Sequence, residues 1–163
     1  MKLLSKEKAT PHSLPVKIIH WAFVGLFIWG ISKGLDNVSQ LADAALFQFE
    51  MIFSGIFLAV IVARFLITRR QPTSLPADTP KLTYLAARSA HLGLYAFPAL
   101  IAISGLMIGA LYAFSLPTGL AIALHEFSIS ATYAFIAAHV TAALGHRLLG
   151  DGVWSSMVPV FKE

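Results

Sequence analysis

The sequence predicts an all-α integral membrane protein, a four-helix bundle with both termini on the cytoplasmic side, and three observations carry that prediction. Of its 163 residues 57% are hydrophobic and 12% charged, with a mean hydropathy of +0.74, whereas a soluble domain carries about 25% charged residues. The apolar residues gather into four stretches, approximately 16–35, 44–68, 86–114 and 118–149. Each is long enough for the roughly 20 residues that cross a hydrocarbon core as a helix. The basic residues, finally, cluster at one set of helix ends. The length suits a single domain spanning residues 1–163.

The first stretch, Val16–Leu35, follows a polar segment containing Pro11 and Pro15. It is of spanning length and lacks a small-residue cleavage pattern, so it is expected to be a retained helix. The second, Ala44–Thr68, runs into Arg69-Arg70 and a polar, Pro-rich loop that continues to Lys81. The third, Ala86–Phe114, carries Pro98, which is expected to bend it, and Gly93, Gly105 and Gly109, which suit close helix approach. Ser115–Gly119 makes the turn into the fourth, Thr118–Leu149. The phenylalanines at 47, 49, 53 and 57 fit a lipid-facing or packing surface better than a cofactor box. Short connections make consecutive helices antiparallel neighbours.

Lys2, Lys6, Lys8 and Lys17 precede the first helix, Arg64, Arg69, Arg70, Lys81 and Arg88 flank the long loop, and Arg147 and Lys162 end the fourth. Only Lys33 falls on the other side, which carries Asp36, Asp43, Glu50 and Glu126. The positive-inside bias therefore places both termini in the cytoplasm. The net charge of +4 fits anchoring at an anionic leaflet of a lipid bilayer, and nucleic acid is not an expected partner. With no cysteine, disulfides, thiolate metal sites, thioether-attached haem and cysteine-held iron–sulfur clusters are excluded. No phosphate-binding glycine loop or hydrolase-type carboxylate pair is present.

What remains is histidine. Of six, only His12 is in the polar terminus, while His20, His91, His125, His139 and His146 lie in predicted helices. An ionisable side chain inside a span is costly and points to function. One such residue could as well be an interhelical hydrogen-bonding group; five on three helices are harder to dismiss. His125 and His139 are fourteen residues apart, which on a helix is roughly 21 Å of rise and about −40° of rotation. They share a face at two depths, so one helix could serve two stacked haems. His146 lies two further turns along on a similar face. A ligand needs a partner on a facing helix, and His20 reaches the depth of His139 if the first helix starts near Ser13. Two imidazoles on one haem iron make an electron-transfer centre with no open position for dioxygen. Beside Trp21, His20 could otherwise be an ordinary interfacial residue.

His20-Trp21, Arg64 followed by Pro72-Thr73, His91-Leu92 through Leu94-Tyr95 to Ser104-Gly105, His125-Glu126, His139, His146-Arg147, Asp151-Gly152-Val153 and Met157 form an ordered set. The set resembles the bacterial cytochrome b561 family, small di-haem four-helix membrane cytochromes, over nearly the whole chain. The resemblance implies haem b held by His20 and His139 on the cytoplasmic side, with His125 as ligand to a second haem near the opposite face. By the same resemblance His91 and His146 would lie near a quinone head group or a haem propionate. Arg64, Arg88 and Arg147 are candidate propionate partners, since a guanidinium matches carboxylate geometry, and equally candidate positive-inside anchors.

One departure stands out. The family places a histidine early in the second helix, and this helix has none. Counted from Arg64 the position falls on Glu50; counted from Gly55 it falls on Met51, a residue type that ligates haem and raises its potential. A His125/Met51 haem, a five-coordinate haem on His125 and a lost second haem all remain open. The function implied is a haem b electron-transfer protein of the bacterial inner (cytoplasmic) membrane, linking quinone, ubiquinone for example, to a redox protein partner. The alternatives are a superoxide:quinone oxidoreductase, disfavoured by acidic outer loops, and a haem-bearing or structural subunit of a larger respiratory or photosynthetic complex.

Overall fold

The computed structural model describes residues 9, 11–69, 75 and 79–158, and the elements formed by those residues are all helical. They are α1 (Leu14–Lys33), α2 (Ala44–Thr68), α3 (Lys81–Ala113), α4 (Gly119–Leu149) and a short α5 (Val153–Met157), with a 3-10 turn over Val38–Ala42 between α1 and α2. Helices α1 to α4 are each long and apolar enough to cross a membrane. Their outward faces are apolar too: Ile28, Ile52, Leu92 and Phe127 are each more than half exposed, a surface that lipid covers and water does not. The basic residues Lys2, Lys6, Lys8, Arg70 and Lys162, and Pro72-Thr73, lie outside the described residues.

Local chemistry sets the helix ends. Pro15 sits in the first turn of α1, where its missing N–H costs nothing. Asn37 and Gln40 close a capping box on the 3-10 turn, the Asn37 side chain accepting from Ser39 N at 2.8 Å and Gln40 Oε1 from Asn37 N at 3.0 Å. Asp43 Oδ1 then caps α2, accepting from Ala45 N at 2.8 Å and Leu46 N at 3.1 Å. α3 begins at Lys81, ahead of its apolar stretch at Ala86. Its 33 residues give about 50 Å of helix against about 30 Å of hydrocarbon, so the polar first turns stand outside the oily layer. α4 stops at Gly150, whose φ of 63° is the left-handed conformation that terminates helices.

α3 packs most extensively on α4 and next on α2, whereas α1 leans chiefly on α2 and makes little close backbone contact with α4. Phe23, Phe57, Ile61 and Ala102 form the buried core. The α2 phenylalanines are packing surface: Phe57 stacks on Phe23 at 5.4 Å, Phe53 on Phe57 at 5.8 Å and Phe49 on Phe53 at 6.0 Å, a ladder against α1. Between α2, α3 and α4 contact is closer. The Phe135 ring sits where a Cβ on Gly93 would be, and the Met51 sulfur where one on Gly109 would be.

The α4–α5 corner ties back to the start of α1. Ala9 N donates to Asp151 O at 3.0 Å, His12 N to Ser156 O at 3.2 Å, Lys17 Nζ to Ser155 O at 3.2 Å and Trp21 Nε1 to Met157 O at 3.3 Å. Burial in this junction, helped by the positive charge of Lys17, holds the His12 imidazole below its usual range.

Candidate functional site

The bundle has a basic end, where α1 and α3 begin and α2 and α4 finish, and an acidic end carrying Asp36, Asp43 and Glu126. At the basic end α1, α3 and α4 contribute His20, His91 and His139. The ring centroids of His20 and His139 are 6.5 Å apart and tilted by 53°; those of His91 and His139 are 5.4 Å apart. Two metal–nitrogen bonds of about 2.0 Å on opposite sides of one iron place imidazole centroids roughly 6 Å apart. The His20–His139 separation meets that requirement. The helices distinguish the two ring pairs: α3 and α4 are packed together, whereas α1 and α4 make little close backbone contact, so His20 and His139 face each other across the looser of the two helix pairs. The three rings do not form a cage for a bare ion; no such group of ligands exists among the described residues.

Arg64 of α2 reaches into this cluster. Its Nη2 donates to His20 Nδ1 at 2.8 Å, and its guanidinium lies 5.0 Å from the Phe23 ring centroid and 5.2 Å from that of Tyr95. Its Nε is buried without a hydrogen-bond partner. A buried guanidinium donor without an acceptor is costly, and the geometry suits an incoming carboxylate. Tyr95 also bonds Thr68 Oγ1 at 2.6 Å, fixing the ring beneath Arg64. Tyr95 and Thr68 escape a reading for ligands because neither is one; Tyr95 is signalled by its place one turn beyond His91 in the set that carries the family resemblance.

At the acidic end a cavity of about 450 Å³ opens between all four long helices, lined among others by Phe27, Glu50, Ser54, Gly105 and His125. His125 Nδ1 lies 3.0 Å from the Ile101 carbonyl and 3.0 Å from Ser104 Oγ. The carbonyl can only accept, so Nδ1 carries the proton and Nε2 keeps the lone pair that binds metals. Ser104 is fully buried and donates to Leu100 O at 2.5 Å. Of Glu50 and Met51 it is Glu50 that lines the cavity, with Oε1 buried and unpartnered. Met51, one residue on, turns its sulfur to Gly109 and is not among the lining residues.

His146 and Arg147 take other partners. His146 Nδ1 pairs with Asp151 Oδ2 at 2.6 Å across the α4–α5 corner, and the Arg147 guanidinium lies 5.1 Å from the centroid of the Trp154 ring. Asp151 is 8% exposed and also accepts from Val153 N at 3.1 Å, so it starts α5 and holds His146 together. Its spacing of five residues from His146, across a glycine stop, is the signal in the sequence.

Four membrane-crossing helices that bring paired imidazoles into an apolar interior define a membrane cytochrome of the b class. The prokaryotic cytochrome b561 family matches residues 11–160, and the chain belongs to that family. Membership means haem-containing electron transfer in a membrane. The family binds haem b, generally two per chain, and is in general linked to quinones. Comparison with curated proteins and with solved structures gives no match.

Proposed function

We propose that residues 11–160 form one haem-bearing unit that carries electrons between the quinone pool and a redox partner, in the bacterial inner membrane with the basic end towards the cytoplasm. The observation that carries this reading is the 6.5 Å approach of His20 and His139 across α1 and α4, which make little close backbone contact. In the proposal these two residues ligate a haem b, which supplies a one-electron couple within the hydrocarbon layer. The residues around it exclude water and hold charge. Phe23 and Tyr95 form apolar walls, and the Arg64 guanidinium is the acceptor-seeking group for a propionate. As Arg64 only donates, the proton of His20 sits on Nε2 in the arrangement seen here. Ligation through Nε2 therefore requires Arg64 to release Nδ1, and a propionate is the alternative acceptor.

In the same proposal His91, beside His139, meets a quinone head group arriving from the lipid, while His146, paired with Asp151 at the α4–α5 corner, passes a proton to the aqueous face. Reduction of the purified protein by a quinol analogue tests the assignment. His91→Ala and His146→Ala should each slow haem reduction by about tenfold or more while leaving the oxidised spectrum in place. Unchanged kinetics in both variants would remove the quinone site from this end. The His20→Ala variant should lose the low-spin spectrum itself.

A further inference from the structure

The acidic-end cavity contains one imidazole prepared for coordination and, where a second would be expected, a carboxyl group. His125 is held from behind by the Ile101 carbonyl and by Ser104, the outer-shell contact that fixes ligating histidines and keeps Nε2 available. The cavity of about 450 Å³ falls within the roughly 300–1,000 Å³ of sites that enclose a cofactor-sized molecule. Its walls are mostly apolar, and the Gly105 wall brings the His125 ring within ordinary contact of where a Cβ would stand. The α2 side presents Glu50 with a buried, unpartnered oxygen. Methionine ligation from α2 is not set up, since Met51 is seated on Gly109 outside the lining.

We propose that this cavity holds a second haem on His125 Nε2 alone, with the Glu50 carboxyl on the opposite side in place of an imidazole. The chain then carries two unlike haems: a low-spin one at the basic end and a high-spin one at the acidic end whose sixth position admits a small neutral ligand. This rests on the assignment of the protein as a b-type cytochrome, and the two can fail separately.

The test uses the full chain in detergent or lipid nanodiscs, with haem quantitation, electron paramagnetic resonance of the oxidised protein and carbon monoxide difference spectra of the reduced protein. Wild type should carry about two haems, show both high-spin and low-spin signals and bind carbon monoxide at about half of its haem. His125→Ala should lose about half of the haem together with the high-spin signal and all carbon monoxide binding. Glu50→His should keep the haem content, convert the high-spin signal to low-spin and abolish carbon monoxide binding, an outcome that needs no loss of fold. His20→Ala should do the reverse of His125→Ala, losing the low-spin haem and keeping the reactive one. One haem per chain with no response to His125→Ala, or two low-spin haems in wild type, overturns the proposal and leaves the basic-end assignment standing. Absence of haem from the wild type would sink both.

Discussion

The two ends of this bundle are built from the same four helices and solve opposite problems. At the basic end, imidazoles from α1 and α4 approach each other to 6.5 Å and the surplus charge belongs to an arginine. At the acidic end a single imidazole, backed by a carbonyl and a serine, shares a cavity with a carboxyl group. The difference teaches that helix packing alone does not make two equivalent sites. A carboxyl-bearing residue of α2 lines the acidic end, while the basic end lies where α1 and α4 make little close backbone contact.

His139→Ala should have the largest effect. It removes the ring that neighbours both His20 and His91, so the basic-end haem should be lost outright, read as a fall of about half in pyridine haemochrome per chain. Retention of carbon monoxide binding in that variant would show that the ends are independent. Arg64→Leu should weaken haem retention at the basic end by about tenfold, through loss of a charge-assisted hydrogen bond worth roughly 1.5–3 kcal/mol; competition by apomyoglobin measures it. A loss of equal size at the acidic end would break the distinction. Asp43→Ala acts on the acidic end alone by removing the cap of α2, at about 1 kcal/mol of stability, seen as a small shift in thermal unfolding with the low-spin spectrum unchanged.

The smallest effect is one of pH at the basic end. The His12 imidazole is held below its ordinary range by burial and by Lys17. Above the unfolded value near 6.5 both states are neutral and the docked state keeps its full stability. As pH falls from there towards the lower folded value, the undocked segment takes up a proton first, and stability is lost. The protection factors of the Ala9 and His12 amides, which donate to Asp151 and Ser156, should therefore fall below about pH 6.5. His12→Gln should remove that dependence.

The spans were legible because apolar length is a property of composition, and the multi-pass fold follows from it. The proximity of His20 and His139 was legible because the depth of each along its helix can be counted. The α2 position facing His125 was not. Glu50 and Met51 are adjacent, so a register error of one residue rotates the answer by about 100°, and only the seating of Met51 against Gly109 decides it. Hydropathy also missed the start of α3 ahead of Ala86, where Lys81 is polar and exposed, and it gave no sign of α5. That element is held by hydrogen bonds to backbone carbonyls, which carry no sequence signature. The placement of His146 with Asp151, away from His91, depends on the same corner.

The junction between residues 9–21 and the α4–α5 corner has a consequence for biogenesis. His20 leaves the ribosome early and His139 late, and the bonds from Ala9, His12, Lys17 and Trp21 wait for residues 151–157. A nascent chain halted after α3 contains His20 without His139. On the proposed ligation by His20 and His139, haem can be held only once α4 has been made, so a chain truncated after α3 should accumulate as an inserted, colourless apoprotein.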